Sequence, residues 1–375
     1  VHAVFIHWLG EEYDLDTLDA MLAVAASERL SGDPPWLLII SGPGNAKTET
    51  VQATSKLKTE VVSTISSEGA LLSASRVKGK QATGGLLRKI GEHGILAIKD
   101  FTSILSCRDR NTRAAILAAF REIHDGKWVR NVGIDGGQTL EWQGRIIVIA
   151  ACTTAWDQAH GVIAVMGDRF VLIRPSSYTG RINSGRHAIR NTGSEAAMRE
   201  ELAEAVAALI NNIDTENTYE LTPEDTDIIL KAADLVTRAR TGVKRDYRGD
   251  VIDAHDPEMP TRFAKQLTQI LRSAVAIGME HQAALKLVLR CAKDSIPQLR
   301  LALLIDLASH PYSPVIDIRR RLQRPRLTVD RALQELHVLG LLTCEEEEEQ
   351  RGEKTIHKRF YSLARDTNPD VLTAQ

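Results

Sequence analysis

The sequence predicts an α/β protein: a parallel sheet with packed helices, then a helical segment, then a small module of three helices and two strands. Three observations carry this reading. From Trp36 to about Pro175, apolar runs of strand length alternate with helical stretches, as in a sheet whose crossovers are helices. From Glu195 to about Pro297 the pattern is almost wholly helical. Beyond Pro297, short helical stretches give way to two strand-like runs.

The 375 residues leave room for two or three domains and a substantial core. A formal net charge of -2 means that any nucleic-acid binding must come from local basic patches. Four scattered cysteines form no C-x-x-C pair, which argues against zinc and a disulfide framework and suits a reducing cytosol. No uncharged apolar run approaches transmembrane length, and no basic-then-apolar leader opens the chain. The expectation is a soluble, cytoplasmic protein with no membrane partner; the first residue is Val1, so the sequence is compatible with a trimmed start.

Residues Val1 to about Glu28 read as a helical lead-in, with Leu15, Leu18, Met21, Leu22 and Ala25 on one face. The first strand, 37–40, opens into Ser41-Gly42-Pro43-Gly44-Asn45-Ala46-Lys47-Thr48 ahead of a helix-compatible segment. That is the layout of a phosphate-binding loop. Backbone N–H groups of the turn and of the following helix N-terminus would face the phosphates, Lys47 would reach the terminal ones, and the Thr48 hydroxyl can hold Mg2+. Against the pattern G-x-x-x-x-G-K-S/T, Ser41 stands at the first glycine and Ala46 at the second, and a plain structural turn is the alternative.

The second strand, 95–98, ends Ile98-Lys99-Asp100-Phe101. In phosphate-loop ATPases a strand here delivers a carboxylate to Mg2+ and often a second that polarises the attacking water. Asp100 suits one of these jobs, while Lys99 stands where the other acid would. ATP binding is therefore better supported than hydrolysis. A helix over 112–124 leads into the extended segments 127–132 and 138–143, flanking Gly133-Ile134-Asp135-Gly136-Gly137, a hairpin signal. Lys127 and Arg130 offer cations for DNA phosphates if the hairpin lines a pore; Trp128 and Trp142 are expected to pack. The third strand, 145–151, runs into Cys152-Thr153-Thr154, where Thr153 can sense a terminal phosphate or cap a helix. In Gly167-Asp168-Arg169-Phe170, ahead of the strand 170–173, Arg169 suits a surface ion pair or an arginine finger reaching a neighbouring subunit.

Helices are expected over 195–210, 223–239 and 261–277, with a polar interval at 246–260 and ordinary core periodicity that carries no chemistry. Helices over 299–309, 314–322 and 328–339, ended by Gly340, precede strands 341–347 and 354–363, separated by Gln350-Arg351-Gly352-Glu353. Three helices and a two-stranded wing is the winged-helix order, a variant of helix-turn-helix. Arg319, Arg320, Arg321, Arg324, Arg326 and Arg331 surround its turn and third helix, either as a phosphate-binding cluster or as a solvated basic face. The acidic run 345–349 lies on the wing and would repel DNA there.

Taken in order, these segments resemble an AAA+ ATPase, and within that superfamily the clade containing the MCM replicative helicases. MCM phosphate loops read G-D-P-G-x-A-K-S/T, similar to Gly42–Thr48 here, including the alanine at Ala46. Their second strand ends I-D-E-F against Ile98-Lys99-Asp100-Phe101, their sensor strand A-A-x-N against Ala150-Ala151-Cys152-Thr153, and their arginine finger lies in L-x-R-F against Arg169-Phe170. A hairpin ahead of the sensor strand matches 127–142, and a lid motif T-x-R-x-L is similar to the segment opening Thr261-Arg262-Phe263. The resemblance covers roughly Trp36 to Leu363; the N-terminal DNA-binding domain of MCM proteins has no counterpart, and compact AAA+ proteins of phages and mobile elements are loosely similar.

The resemblance implies an ATPase core over 1–178, a helical lid over 179–297 and a winged helix over 298–375. It implies ATP and Mg2+ as cofactors, a homo-oligomeric ring, a hexamer by expectation, and DNA as partner: a motor such as a replicative helicase. In that frame Gly42–Thr48 hold the phosphates, Thr48 holds the metal, Asp100 is either the general base or a metal carboxylate, and Thr153 senses the terminal phosphate. Arg169 and Arg262 stabilise its developing charge, Lys127 and Arg130 grip a strand, and Arg324, Arg326 and Arg331 contact duplex. Two alternatives stand beside the motor: a nucleotide switch serving as initiator, helicase loader or transcription regulator, and a protein-remodelling or defence ATPase.

Overall fold

Strands buried on both faces need no polar alternation, and the uninterrupted apolar runs of this sequence form such strands. The computed structural model describes residues 1–73, 84–133, 138–159, 169–176, 180–216, 219–351 and 354–373. Strands β1 (Trp36–Ile40), β2 (Thr59–Val62), β3 (His93–Ile98), β4 (Lys127–Val132), β5 (Gln138–Gln143), β6 (Arg145–Cys152) and β7 (Phe170–Ile173) succeed one another in the first part of the chain. Five of them build one parallel sheet in the order β2-β3-β6-β1-β7, flanked by helices. All five β1 residues are buried, and each such Leu or Ile contributes roughly 1.5–3 kcal/mol by leaving water. An aromatic cluster of Trp36, Phe101, Phe120, Trp156 and Phe170 packs against the sheet, and Trp36 Nε1 donates to the Ile146 carbonyl at 2.8 Å.

The expected strands 37–40, 95–98, 145–151 and 170–173 are all present within a residue or two. Strand β2 was not among them. It is a four-residue edge strand, half-buried throughout, that begins Thr-Glu and offers no apolar run. The expected hairpin is β4 paired antiparallel with β5, from Lys127↔Gln143 to Val132↔Gln138, while its Asp135-Gly136 turn lies outside the described residues. Trp128 and Trp142 face each other across it, each 6% exposed, and Trp142 Nε1 donates to the Gly91 carbonyl at 3.0 Å, so both pack. The lead-in is two helices, α1 (His2–Leu9) and α2 (Leu15–Ala26), the latter capped by Asp14 and buried along most of its length.

The described residues divide into two compact units: Val1–Ala159 with 169–221 and Lys265–Cys291, and Thr222–Ala264 with 292–373. The helices Arg181–Arg190 and Glu195–Ile210 belong to the first. In the second, Pro223–Ala239 starts in a reciprocal capping box between Thr222 and Asp225, which satisfies two otherwise orphaned N–H groups. The sequence read 246–260 as a polar interval between helices. It is instead part of an antiparallel ribbon, β8 (Val243–Arg245) with β9 (Val251–Ala254), whose turn is built by Asp246 Oδ1 accepting the N–H groups of Arg248 (2.8 Å) and Asp250 (2.9 Å). Strands of three and four residues with mostly exposed side chains leave too little periodicity to read.

At the C-terminal end, helices Gln298–Ser309, Val315–Leu322 and Arg326–Val338 bury Leu303, Leu304, Ile318, Val329, Leu333 and Leu336. Gly340, at φ 71, follows the last of them in the left-handed conformation expected of a helix stop. Strands β10 (Ser313–Pro314), β11 (Leu342–Arg351) and β12 (Lys354–Leu363) form a sheet in the order β10-β12-β11. The two-residue β10 is too short to read from sequence; Gly352-Glu353 lies outside the described residues. No described helix is long and apolar enough to cross a membrane.

Candidate functional site

Parallel strands all end on the same side of a sheet, so the segments following β1, β3 and β6 emerge together. Register brings them closer still: Ile40 is opposite Cys152 and Ile98 opposite Ala150, while Ser41 N–H donates to the Cys152 carbonyl (3.3 Å) and Phe101 N–H to that of Ala151 (2.8 Å). A cavity of about 600 Å³ opens there, lined by Pro43 to Thr48 from the loop, Lys99, Asp100 and Thr102 after β3, and Thr153 after β6. Three residues from separate stretches of the sequence, Lys47, Asp100 and Thr153, thus line one cavity.

The loop turns through Gly44 at φ 84 and Ala46 at φ 50. The second is a left-handed alanine, a conformation that costs an L-residue about 1–2 kcal/mol. The helix α3 (Lys47–Gln52) begins immediately after it. Lys47 Nζ donates to the Ser41 carbonyl (2.9 Å), Ser41 Oγ (3.1 Å) and the Gly42 carbonyl (2.6 Å), and Asn45 Nδ2 donates to the Ser176 carbonyl (3.1 Å). Ser41, at the first glycine position of the motif, is therefore a buried partner of the lysine. Burial holds the Lys47 ammonium below the usual lysine range, opposed by neighbouring Cys152 and Asp100; burial also pushes the Cys152 thiol up to about 11. Thr48 is exposed on the cavity wall.

Asp100 is exposed, and its Oδ1 accepts the Thr102 N–H at 3.0 Å. Thr102 Oγ1 accepts the Thr153 N–H at 3.0 Å and lies 3.3 Å from Thr153 Oγ1. The lining supplies the Lys47 ammonium, the Asp100 carboxylate and the hydroxyls of Thr48, Thr102 and Thr153, together with the loop that precedes α3. Such a set can hold a polyanion and act on one end of it.

The far part of the cavity was not foreseen. Trp8 and Tyr13 from the lead-in, and His187, Asn191 and Met198 from the helical segment, line it. Tyr13 Oη is 2.7 Å from Thr50 Oγ1, Asn191 Nδ2 donates to the Trp8 carbonyl (2.6 Å), and Trp8 Nε1 donates to Glu201 (2.8 Å). The signal available in the sequence is the pair Trp8 and Tyr13 on either side of Gly10.

The remaining candidates lie elsewhere. Arg169 precedes β7, whose partner register (Trp36↔Phe170) puts it at the opposite end of the sheet from the loop. Its side chain is 14% exposed, 3.5 Å from Asp125. Arg262 belongs to the second unit, paired with Glu258. Lys127 pairs across the hairpin with Glu141 at 2.7 Å. Arg130 is tied down: it grips Glu68 through two nitrogens (3.0 and 2.8 Å) and donates to the Leu72 carbonyl (2.8 Å). Arg331 donates to the Arg248 carbonyl (2.8 Å), 3.7 Å from Asp250. Arg324 and Arg326 are exposed at the start of the last helix. No protein-family model matches the chain, and no curated protein matches it either.

Proposed function

We propose that this chain binds ATP at the Gly42–Thr48 loop and hydrolyses it, as an AAA+ ATPase of the MCM-like clade with a C-terminal winged helix. The observation that carries the reading is the convergence of Lys47, Thr48, Asp100 and Thr153 on one cavity at the ends of β1, β3 and β6. In the reaction, a water oxygen bonds to the terminal phosphorus as the bond to the bridging oxygen breaks with its electron pair, releasing ADP and inorganic phosphate. Asp100 takes the proton of the attacking water, and Thr153 hydrogen-bonds an oxygen of the terminal phosphate. The loop N–H groups and Lys47 hold the charge that develops there.

Mg2+ takes oxygen ligands and is commonly held by one or two carboxylates together with substrate phosphates. Thr48 Oγ1 fits that donor set, as would the Asp100 carboxylate if it served the metal instead of acting as the base, and the ion would neutralise charge on the phosphate oxygens. Arg169 is too far along β7 to serve this chain's own loop, so as an arginine finger it would serve a second copy, in keeping with a ring. The hairpin β4-β5 falls between β3 and β6, as a pore hairpin ahead of a sensor strand would. The order of three helices and a strand pair from Gln298 to Leu363 is that of a winged helix. Together these support a motor on DNA, assembled as a homo-oligomeric ring.

A second reading is favoured by Lys99 and Arg130. A lysine beside Asp100, and a hairpin arginine already held by Glu68, both suit a slow nucleotide switch that controls assembly on DNA. Strand displacement of a forked duplex with ATP separates the two. A motor unwinds with the wild-type chain and not with Lys47→Ala or Asp100→Asn. ATP-independent duplex binding without unwinding sinks the motor and leaves the switch.

A further inference from the structure

Thr102 connects the two cavity groups assigned to the chemistry. Its backbone N–H donates to Asp100 Oδ1 (3.0 Å), and its Oγ1 accepts from the Thr153 N–H (3.0 Å). The Thr102 hydroxyl has one proton to give, with Thr153 Oγ1 at 3.3 Å and Cys152 Sγ at 3.6 Å both in reach, and the hydroxyl oxygen is the stronger acceptor of the two. Thr153 Oγ1 is also 3.4 Å from the Ala155 N–H, a second donor. A hydroxyl oxygen that accepts twice keeps its own proton for a third partner, and Thr153 lines the cavity.

We infer that Thr102 is a positioning residue for nucleotide hydrolysis, its hydroxyl making Thr153 a donor toward the terminal phosphate while its backbone fixes the Asp100 carboxylate. The inference rests on the ATPase reading above. Side-chain substitution separates the two contributions, because the backbone bond to Asp100 survives any change of side chain.

The test uses the full chain: steady-state ATP hydrolysis, equilibrium binding of a fluorescent ATP analogue, and thermal melting of wild type, Thr102→Val, Thr102→Ser, Thr153→Ala and the Val/Ala double variant. Losing one oriented hydrogen bond lowers kcat about five- to tenfold in Thr102→Val, with KM and analogue affinity within about twofold. Thr102→Ser restores kcat. The double variant hydrolyses no more slowly than Thr153→Ala alone, because the two hydroxyls act as one unit. Should valine prevent folding, Thr102→Ala takes its place under the same criteria. A kcat within about twofold of wild type in the hydroxyl-free variant, failure of serine to rescue, or additive losses in the double variant overturns the role of Thr102 alone. A wild-type chain that neither binds nor hydrolyses ATP overturns the ATPase reading, and this inference with it.

Discussion

At the strand ends of the first unit, Lys47 and Lys99 line an open cavity, whereas in the second unit Arg240, Arg262, Arg300 and Arg321 each lie against a carboxylate. Arg300 is the extreme case. It is 5% exposed, donates to Glu335 (2.8 Å) and to the carbonyls of Ala239 (2.8 Å) and Thr241 (2.7 Å), and burial pushes its guanidinium down to about 10. Arg321 makes a two-pronged pair with Asp306 (2.8 and 2.7 Å). Lys47 instead holds only loop oxygens, which a phosphate group can replace. Basic residues are thus of two kinds here: those whose charge is neutralised by a carboxylate and hold elements together, and those, such as Lys47, that line the cavity where the proposed phosphates would bind.

The largest test of this contrast is Arg300→Ala. Glu335 keeps its second partner, Arg245, but the buried carbonyls of Ala239 and Thr241 lose this donor at about 1–3 kcal/mol each, seen as a marked drop in melting temperature with no direct effect on nucleotide affinity. Lys47→Ala is expected to do the reverse: melting stays close to wild type, while ATP-analogue affinity falls by the loss of charged hydrogen bonds worth about 1.5–3 kcal/mol. If Lys47→Ala unfolded the chain and Arg300→Ala did not, the division would be wrong.

A smaller effect sits between the two kinds. Burial and the nearby Arg169 hold His124 below the usual histidine range, opposed by Asp125 and Asp33, and its ring packs edge-on against Trp36. The folded state disfavours the protonated ring, while the unfolded chain takes up a proton below about pH 6.5. Stability is therefore present above that value and is lost as the pH falls through it, because the unfolded state then binds more protons. Melting followed from pH 8 to pH 5.5 should show the decline, and His124→Gln should flatten it.

The smallest expected effect sharpens the comparison within the arginine-rich helix. Arg324 and Arg326 are exposed, whereas Arg331 is held by the β8-β9 ribbon. If the winged-helix reading is right, replacing Arg324 and Arg326 together by alanine lowers the salt slope of duplex binding by about 2, roughly 0.9 per phosphate contact. Replacing Arg331 changes it less. Equal slopes in all variants would remove this helix from the DNA contact.

The same contrast explains what was legible in the sequence. Apolar runs that become two-sided strands are self-evident, and the loop, Asp100 and Thr153 could be named because each directly follows such a run. The partners of the arginines were not legible. Glu68 meets Arg130 across 62 positions and Asp306 meets Arg321 across 15, and no local pattern links them. Short polar elements, β2 and the β8-β9 ribbon, were missed because their pairing is decided by neighbours in space rather than by their own composition. Thr102 escaped because a threonine after Asp-Phe has no signature until β3 and β6 are laid side by side.

The left-handed backbone of Ala46 has a consequence for the stability of the fold. Glycine would adopt φ 50 without strain, but it would also widen the range of shapes open to the chain before folding, a difference of about 0.4–1 kcal/mol. The methyl group takes a local cost in the folded loop and removes many of the shapes from which the loop would otherwise have to be recruited. At φ 50 the strain of about 1–2 kcal/mol outweighs that gain, so Ala46→Gly is expected to leave the fold as stable or more so.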